Sequence, residues 1–397
     1  MDCGLLAHKQ LAEAIRLRHA LHRIPETAYE EFKTAALIRE ELSRLDIAFT
    51  ADLAACPTAT VAHIGNPALP CVALRADIDA LPITENTGLP YASTHPGQMH
   101  ACGHDGHTAT LLGVAAALKA VEKSLPVCVK LFWQPAEEGG AGAKRLIDAG
   151  LLDGRLGPKP RAVFGLHGWP GLPVGKVSTK PGALLAATDS FEIDFLGSGT
   201  HAAYPHAGRD PIVVAAEAVI NLQQVVSRDT DPTESIVVTV GQFHAGTASN
   251  VIPDQASIIG TVRTLGEAQR LRARELIERR CRGISSAAGC QVEIDWIDGY
   301  PATINDPAAA AFVTSLAKEA FGNDSFVPAA RPSMGGEDFA FYLERIPGCF
   351  FFIGTCPIAT TQYPPLHSDR YDFTDAAMEV GIRMFLEIVA NSNQTFS

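Results

Sequence analysis

Apolar positions recur at helical spacing near the start of the chain, with Leu11, Ala14, Ile15, Leu17, Ala20 and Leu21 on one stripe. That spacing predicts an amphipathic helix. RIPETAYE (23–30) interrupts the period and EEFKTAALIREELSRL (30–45) resumes it, predicting a second helix. Short β-type runs follow, TATVAHIG (58–65) and CVALRADID (71–79). The Ala- and Leu-rich stretch 106–123 predicts a helix, PVCVKLFWQ (126–134) a strand buried on both faces, GAKRLIDAG (142–150) a short helix, and RAVFGLH (161–167) another buried strand. Strands alternating with helices place this part of the chain in a layered α/β domain.

The pattern changes near residue 185. SFEIDFLG (190–197) alternates apolar and polar, as a strand with one wet face does. A long helix (210–228), two strands (235–246 and 255–265), a helix (266–288) and the strand CQVEIDWID (290–298) follow. The order β-α-β-β-α-β predicts a ferredoxin-like α+β unit. After residue 301 the α/β character returns, with a helix at 307–321, the apolar strand GCFFFIG and a last helix at 374–391. The expected organisation is a discontinuous α/β domain, residues 1–185 and 301–397, with an inserted α+β domain at 186–300.

Composition sharpens this only slightly. The chain has 397 residues, 47% hydrophobic and 19% charged, enough for a core without covalent staples. The net charge of −12 argues against a non-specific nucleic-acid binder, which needs a basic face. No apolar run approaches the roughly 20 residues of a membrane span, and the N-terminus lacks the basic and apolar blocks of a secretory signal. The nine scattered cysteines read as reduced, mostly buried thiols. The expectation is a cytoplasmic protein with neither a nucleic-acid nor a membrane partner.

Candidate chemistry lies just past the apolar runs. CVALRADID ends in Arg75, Asp77 and Asp79; LFWQPAEEGG ends in Glu137 and Glu138; VFGLH ends in His167; PPLHSDRYDF puts His367 in a loop. QMHACGHDGHTA (98–109) concentrates His100, Cys102, His104, Asp105 and His107. Cys102 and His104 are two apart, so in an extended segment both face one side and reach one metal, with Asp105 and Gly106 opening the next helix. Adjacent carboxylates in an extended loop point to opposite sides. One of Glu137 and Glu138 then binds metal while the other serves as general base. A cysteine nucleophile served by His104 or His107 explains the thiol, but not the carboxylate pair or the distant histidines.

These segments, with LRHALHRIPETAYEE, GSGTHAAYPHAGRDPI, NVIPD, GTVRT and MGGEDFAFY, resemble the aminoacylase-type dinuclear metallohydrolases. The likeness is to the subgroup of hippurate hydrolases, N-acyl-L-amino-acid amidohydrolases and auxin-conjugate hydrolases. It implies a zinc-peptidase-like α/β catalytic domain with the inserted unit as a lid. It implies two divalent metal ions per chain (Zn, Mn, Co or Ni), with Cys102, His104, Glu138, His167 and His367 as ligands. Glu137 is then the general base and Asp77 orients a ligand. His201 polarises the scissile carbonyl, and Asn250 and Arg263 hold substrate oxygens. Gly335 and Gly336, expected just before a helix starting near Glu337, form a substrate-facing loop. His206, His100 and His107 take supporting places, Trp169 a pocket wall and Trp133 the core. The implied substrate is a small N-acyl amino acid. A dipeptidase, a carboxypeptidase and an N-acetyl-diaminopimelate deacetylase remain alternatives on the same site. The resemblance also allows a homodimer or homotetramer. A binding module without catalysis is disfavoured because the ligands and the Glu pair are all present.

Overall fold

Four strands that are apolar on both faces stack side by side in parallel: Cys128–Gln134, Cys71–Asp77, Pro160–Pro173 and Gly348–Cys356. The residues of Cys71–Asp77, Cys128–Gln134 and Gly348–Cys356 are buried throughout, as a sheet covered on both sides requires. In this computed structural model, which describes residues 1–358, 360 and 362–395, they form the centre of a seven-stranded sheet. Thr60–Ile64 and Phe49–Thr50 extend it antiparallel on one edge, and Val177–Ser178 closes the other. The protein is therefore α/β with a sheet core. The C-terminal ends of the parallel strands lie together, the usual place for a site in such a sheet.

The chain separates into two compact units: Met1–Leu184 with Ile304–Arg331 and Asp338–Ser397, and Leu185–Thr303 with Pro332–Glu337. In the first, the helices Cys3–His22, His104–Ala120 and Ala377–Thr395 pack on one another. Gly113 permits the close crossing: a Cβ there would lie 2.7 Å from Ile382 Cδ1. RIPETAYE is a turn between the first helix and Phe32–Arg44, as the broken period predicts. No helix among the described residues is long and apolar enough to cross a membrane. All nine cysteines are unpaired.

In the second unit the chain order is β-α-β-β-α-β. The sheet runs Ile236–Ala245, Gln255–Thr264, Ala187–Leu196, Gln291–Ile297, with every neighbour antiparallel. Helices Pro211–Ser227 and Glu267–Ala288 cover one face, over a core that includes Phe191, Ile193, Phe195, Leu222, Ile258 and Leu276. That is the ferredoxin-like arrangement. Pro332–Glu337 joins this unit because the Ala186 N–H donates to the Gly335 carbonyl at 2.9 Å and Ser333 bridges to Leu185.

Hydrophobic periodicity gives no sign of one feature of the first helix. Arg18 is fully buried, donating to Asp105 at 2.9 Å and Asp375 at 2.8 Å and pairing with Asp372. Beside it, His22 Nδ1 lies 2.8 Å from Asp105 and its Nε2 3.3 Å from Glu85. The cluster fastens the start of the His104–Ala120 helix to the first helix.

Replacing Arg18 by Met takes the guanidinium from the buried Asp105 carboxylate, so urea unfolding should show a loss of about 3–5 kcal/mol. Burial alone would depress His22, but Asp105 and Glu85 outweigh it and push it from 6.5 up to about 9. A folded-state pKa above the unfolded one stabilises by proton uptake. That contribution is full below pH 6.5 and is lost as pH rises through about 9, with a ceiling of about 3 kcal/mol. The slope of unfolding free energy over this window should be shallower in His22→Gln. Equal slopes would remove His22 as its source.

Candidate metal centre and active site

The chain brings its candidate ligands to one end of the first unit's sheet by separate routes. His167 stands on the Pro160–Pro173 strand. Its Nδ1 donates to the Gly168 carbonyl at 2.7 Å, leaving the Nε2 lone pair aimed at Cys102 Sγ, 3.3 Å away. Cys102 sits in a turn and His104 is the first residue of the following helix, with Gly103 between them at φ 86°. The extended geometry expected from the i, i+2 spacing is absent, and the helix opens at His104, ahead of Asp105–Gly106. A left-handed glycine turns both side chains inward instead. His367 comes from a distant loop. Its N–H donates to the Ala101 carbonyl at 2.9 Å, and its φ of 65° is a strained value for a non-glycine residue.

Glu137 and Glu138 occupy a turn, and they do not point to opposite sides as an extended loop would require. Each offers an oxygen within 4.8 Å of the other's and of a His104 nitrogen. The same closeness groups Cys102 with His104 and His167, and Cys102 with Glu138 and His367. The two triads share the Cys102 sulfur. The structure thus brings together Cys102, His104, Glu137, Glu138, His167 and His367.

Asp79 ties this cluster together, a part that reading the sequence did not give it. Its Oδ1 lies 3.2 Å from His104 Nδ1, and its Oδ2 accepts the Glu138 N–H at 2.8 Å. His104 must then carry its proton on Nδ1. Its Nε2 is buried with no hydrogen-bond partner among the described residues, the nearby Asp77 Oδ2 being 3.7 Å off. An imidazole held by a carboxylate on one nitrogen and bare on the other is the form in which histidine binds metal. Asp77 is shared by Arg75 Nη1 and His107 Nδ1, each 2.7 Å away, while His107 Nε2 accepts the Gly168 N–H at 2.8 Å. Both His107 nitrogens are used, so it is neither ligand nor base. The alternation in RADID, which puts Asp77 and Asp79 on one face, was the available clue to Asp79.

The electrostatics favour positive charge at this place. Burial opposes protonation of His104, but Asp77, Asp79 and Glu138 overcome it and push its pKa up to about 10. A divalent cation answers the same demand. Burial above all holds His167 well down, so it stays neutral. Burial, Glu138 and Glu137 hold the Cys102 thiol well up. That rules against an unaided cysteine nucleophile, whereas a bound cation would bring the thiolate out. Burial would raise Asp77, yet Arg75 and the two imidazoles keep it well below the usual range. Arg75 also holds Asp338 at 3.1 Å, and the Asp338 N–H points at Glu137 Oε1, 3.4 Å away. The donor set of thiolate, imidazoles and carboxylates fits a divalent transition metal.

Of the remaining candidates, Trp133 is core, donating to the Thr108 carbonyl at 3.3 Å. Trp169 is half-buried against Phe352, with ring centroids 4.3 Å apart. His100 is buried, and neither ring nitrogen has a hydrogen-bond partner among the described residues. The other residues belong to the second unit, where they form two groups. His201 pairs with Val251, and the Asn250 carbonyl accepts the Ala202 N–H at 3.0 Å. His206 is in the short turn of 3-10 helix Pro205–Ala207. Arg263 pairs with Thr188, and a Cβ on Gly336 would lie 2.3 Å from Thr188 Cγ2. Gly335 turns on its N–H bond to Ser333 Oγ at 3.1 Å. Thr188 is near one end of the Ala187–Leu196 strand, and His201 follows the other. The eight steps along the strand from Thr188 to Leu196 span about 26 Å, so the Asn250 and Arg263 groups are far apart within one copy. The helix expected near Glu337 opens three residues later and is short, Ala340–Leu343, so Gly335–Gly336 does not sit at its N-terminus.

Known proteins resemble the whole arrangement. The sequence profile of the peptidase family M20/M25/M40 matches residues 73–391. An N-acetyl-L-cysteine deacetylase of Bacillus subtilis is 45% identical over 344 residues, 86% of this chain and 80% of the relative. The IAA-amino acid hydrolase ILR1-like 4 of Arabidopsis thaliana is 38% identical over 371 residues, 92% of this chain and 82% of the relative. A crystal structure from Bacillus subtilis, described as a dinuclear metal-binding peptidase of family M20, superposes with a TM-score of 0.85 at 36% identity, covering 98% of this chain and 99% of that one. With that profile match, and with relatives at this identity along nearly its whole length, the chain belongs to peptidase family M20/M25/M40 and is a metal-dependent amide hydrolase.

Proposed function

We propose that the protein hydrolyses the amide bond of N-acyl-L-amino acids, releasing a carboxylic acid and the free amino acid, on a centre of two divalent cations (Zn, Mn, Co or Ni). The observation that carries this reading is the pair of triads sharing Cys102, with Glu137 in a third group alongside His104 and Glu138. The names of the similar proteins, a deacetylase of N-acetyl-L-cysteine and a hydrolase of IAA-amino acids, support the acyl–amino acid linkage. Cys102, His104, Glu138, His167 and His367 would hold the cations, which supply Lewis acidity toward the amide carbonyl and the attacking water.

The chain's own residues do the rest. Glu137 takes a proton from the attacking water and delivers it to the amine nitrogen as the C–N bond breaks. Asp79 and the Gly168 carbonyl keep the lone pairs of His104 and His167 turned toward the centre. His201 donates to the carbonyl oxygen as it gains charge, with Asn250 beside it. Arg263 and the Gly335–Gly336 turn hold the substrate carboxylate, for which a guanidinium fork is suited. Because those two groups stand about 26 Å apart within one copy, the reading calls for at least a homodimer, each copy lending one group to its partner's substrate.

In Glu137→Gln, metal analysis should still find two cations per chain, while kcat on hippurate or N-acetyl amino acids drops by about 10²–10⁴. Near-full turnover in this variant would contradict the mechanism. Faster cleavage of free dipeptides than of N-acyl amino acids would contradict the substrate class, and a fully active monomer in sedimentation would contradict the assembly. Asp79→Ala should weaken cation affinity about 10–100-fold in a chelator competition. Unchanged affinity would remove Asp79 from the centre.

A further inference from the structure

We propose that Tyr29 and Glu31, from the segment 23–31 that joins the first two helices, form a clasp that positions Glu137. The proposal rests on Glu137 being the general base.

Two carboxylates of this segment, Glu26 and Glu31, are used differently. Glu26 stays local, accepting the N–H groups of Lys33 and Thr34, each at 2.9 Å, at the start of the second helix. Glu31 holds the N-cap position of that same helix, yet its side chain does not cap it. It is fully buried and turned away: Oε1 accepts the Ala136 N–H at 2.9 Å and Oε2 accepts the Thr58 hydroxyl at 2.7 Å. Burial pushes its pKa up to about 7, a cost that an exposed capping role would avoid. Tyr29 grips the far side of the same turn. Its hydroxyl donates to the Gly140 carbonyl at 2.6 Å, and its ring lies 4.0 Å beneath the Arg145 guanidinium. The clasp therefore holds the turn at Ala136 and Gly140, on either side of Glu137 and Glu138.

The turn needs holding. Ala136 and Ala141 are non-glycine residues at φ 56° and 54°, and Tyr29 itself is at 65°. Such conformations persist only where the surroundings impose them. The fit is tight, since a Cβ on Gly140 would lie 2.6 Å from Ala136 Cβ and 3.0 Å from Tyr29 Cε2. Two anchors then divide the work. Asp79 fixes the backbone N–H of Glu138, the candidate ligand, whereas Glu31 fixes the peptide just before Glu137. Removing Glu31 should misplace the base and leave the cations bound. Removing Asp79 should do the reverse.

The test compares Glu31→Leu, Glu31→Gln, Tyr29→Phe and Glu137→Gln with the full-length wild type. Metal content, kcat and KM on an N-acyl amino acid, and amide hydrogen exchange of the 135–142 peptide are measured. In Glu31→Leu, kcat should fall about 10–100-fold with KM little changed, two cations per chain retained and exchange faster at 135–142. Glu31→Gln keeps an oxygen for the Ala136 N–H and should recover most of the loss. Tyr29→Phe keeps the ring under Arg145 and should lose roughly 5-fold in kcat. The clasp is overturned if Glu31→Leu keeps wild-type kcat, if it sheds cations instead, or if Gln rescues nothing. Should Glu31→Leu fail to fold by circular dichroism, Tyr29→Phe decides: wild-type kcat and exchange overturn the clasp. An active Glu137→Gln would sink the general-base reading itself, whereas an inactive one beside a normal Glu31→Leu sinks the clasp alone.

Discussion

The first unit's site depends on one carboxylate with two jobs. Asp79 lies two residues beyond a strand buried on both faces, so the sheet fixes where its oxygens can reach. One oxygen holds His104, at the head of a helix, and the other holds the backbone of Glu138, in a turn after the neighbouring strand. Helix and turn share no other hydrogen bond through these two residues among the described interactions. Orienting an imidazole and a carboxylate independently would cost conformational entropy twice. A single rigid acceptor between them sets both.

Around that carboxylate the fold concentrates charge that it then has to balance. Asp77, Asp79 and Glu137 are buried with Glu138 beside them, and burying such groups without partners is costly. Arg75, fully buried, answers Asp77 and Asp338. His107 stays neutral because its two nitrogens are committed to Asp77 and the Gly168 N–H. The surplus negative potential falls on His104, Glu138 and Cys102, where a cation would neutralise it. A cation bound there would couple metal binding to folding at this end of the sheet, with the carboxylates as the common element.

Much of this was legible in the sequence, though not always for the stated reason. The buried runs CVALRAD, KLFWQ and GCFFFIG are central strands because apolar residues on both faces leave few alternatives, and residues past their ends gather as the parallel-sheet rule expects. The family was legible because many separated motifs occur in one order. The spacing arguments were weaker. Period 2 in Cys102–His104 and in Glu137–Glu138 presumes extended backbone, whereas left-handed Gly103 and Ala136 bend the chain at each pair, into a turn-to-helix junction and a turn. Composition cannot reveal a left-handed alanine, since tertiary contacts impose it. The roles of Asp79, Arg18 and Glu31 were hidden for a similar reason. Each acts on a residue far along the chain, from 25 residues for Asp79 and His104 through 105 for Glu31 and Ala136 to 357 for Arg18 and Asp375. The helix expected near Glu337 begins only at Ala340 and runs four residues, because acids and glycines mark loops as readily as helix starts.

The central claim is that Cys102, with imidazoles and carboxylates around it, holds the cation centre that Asp79 organises. X-ray absorption at the edge of the bound metal tests this most directly. The account predicts a sulfur scatterer at about 2.3 Å beside the nitrogen and oxygen shells of a zinc-loaded sample, and its disappearance in Cys102→Ser. A spectrum without sulfur, or one unchanged by Cys102→Ser, would contradict it.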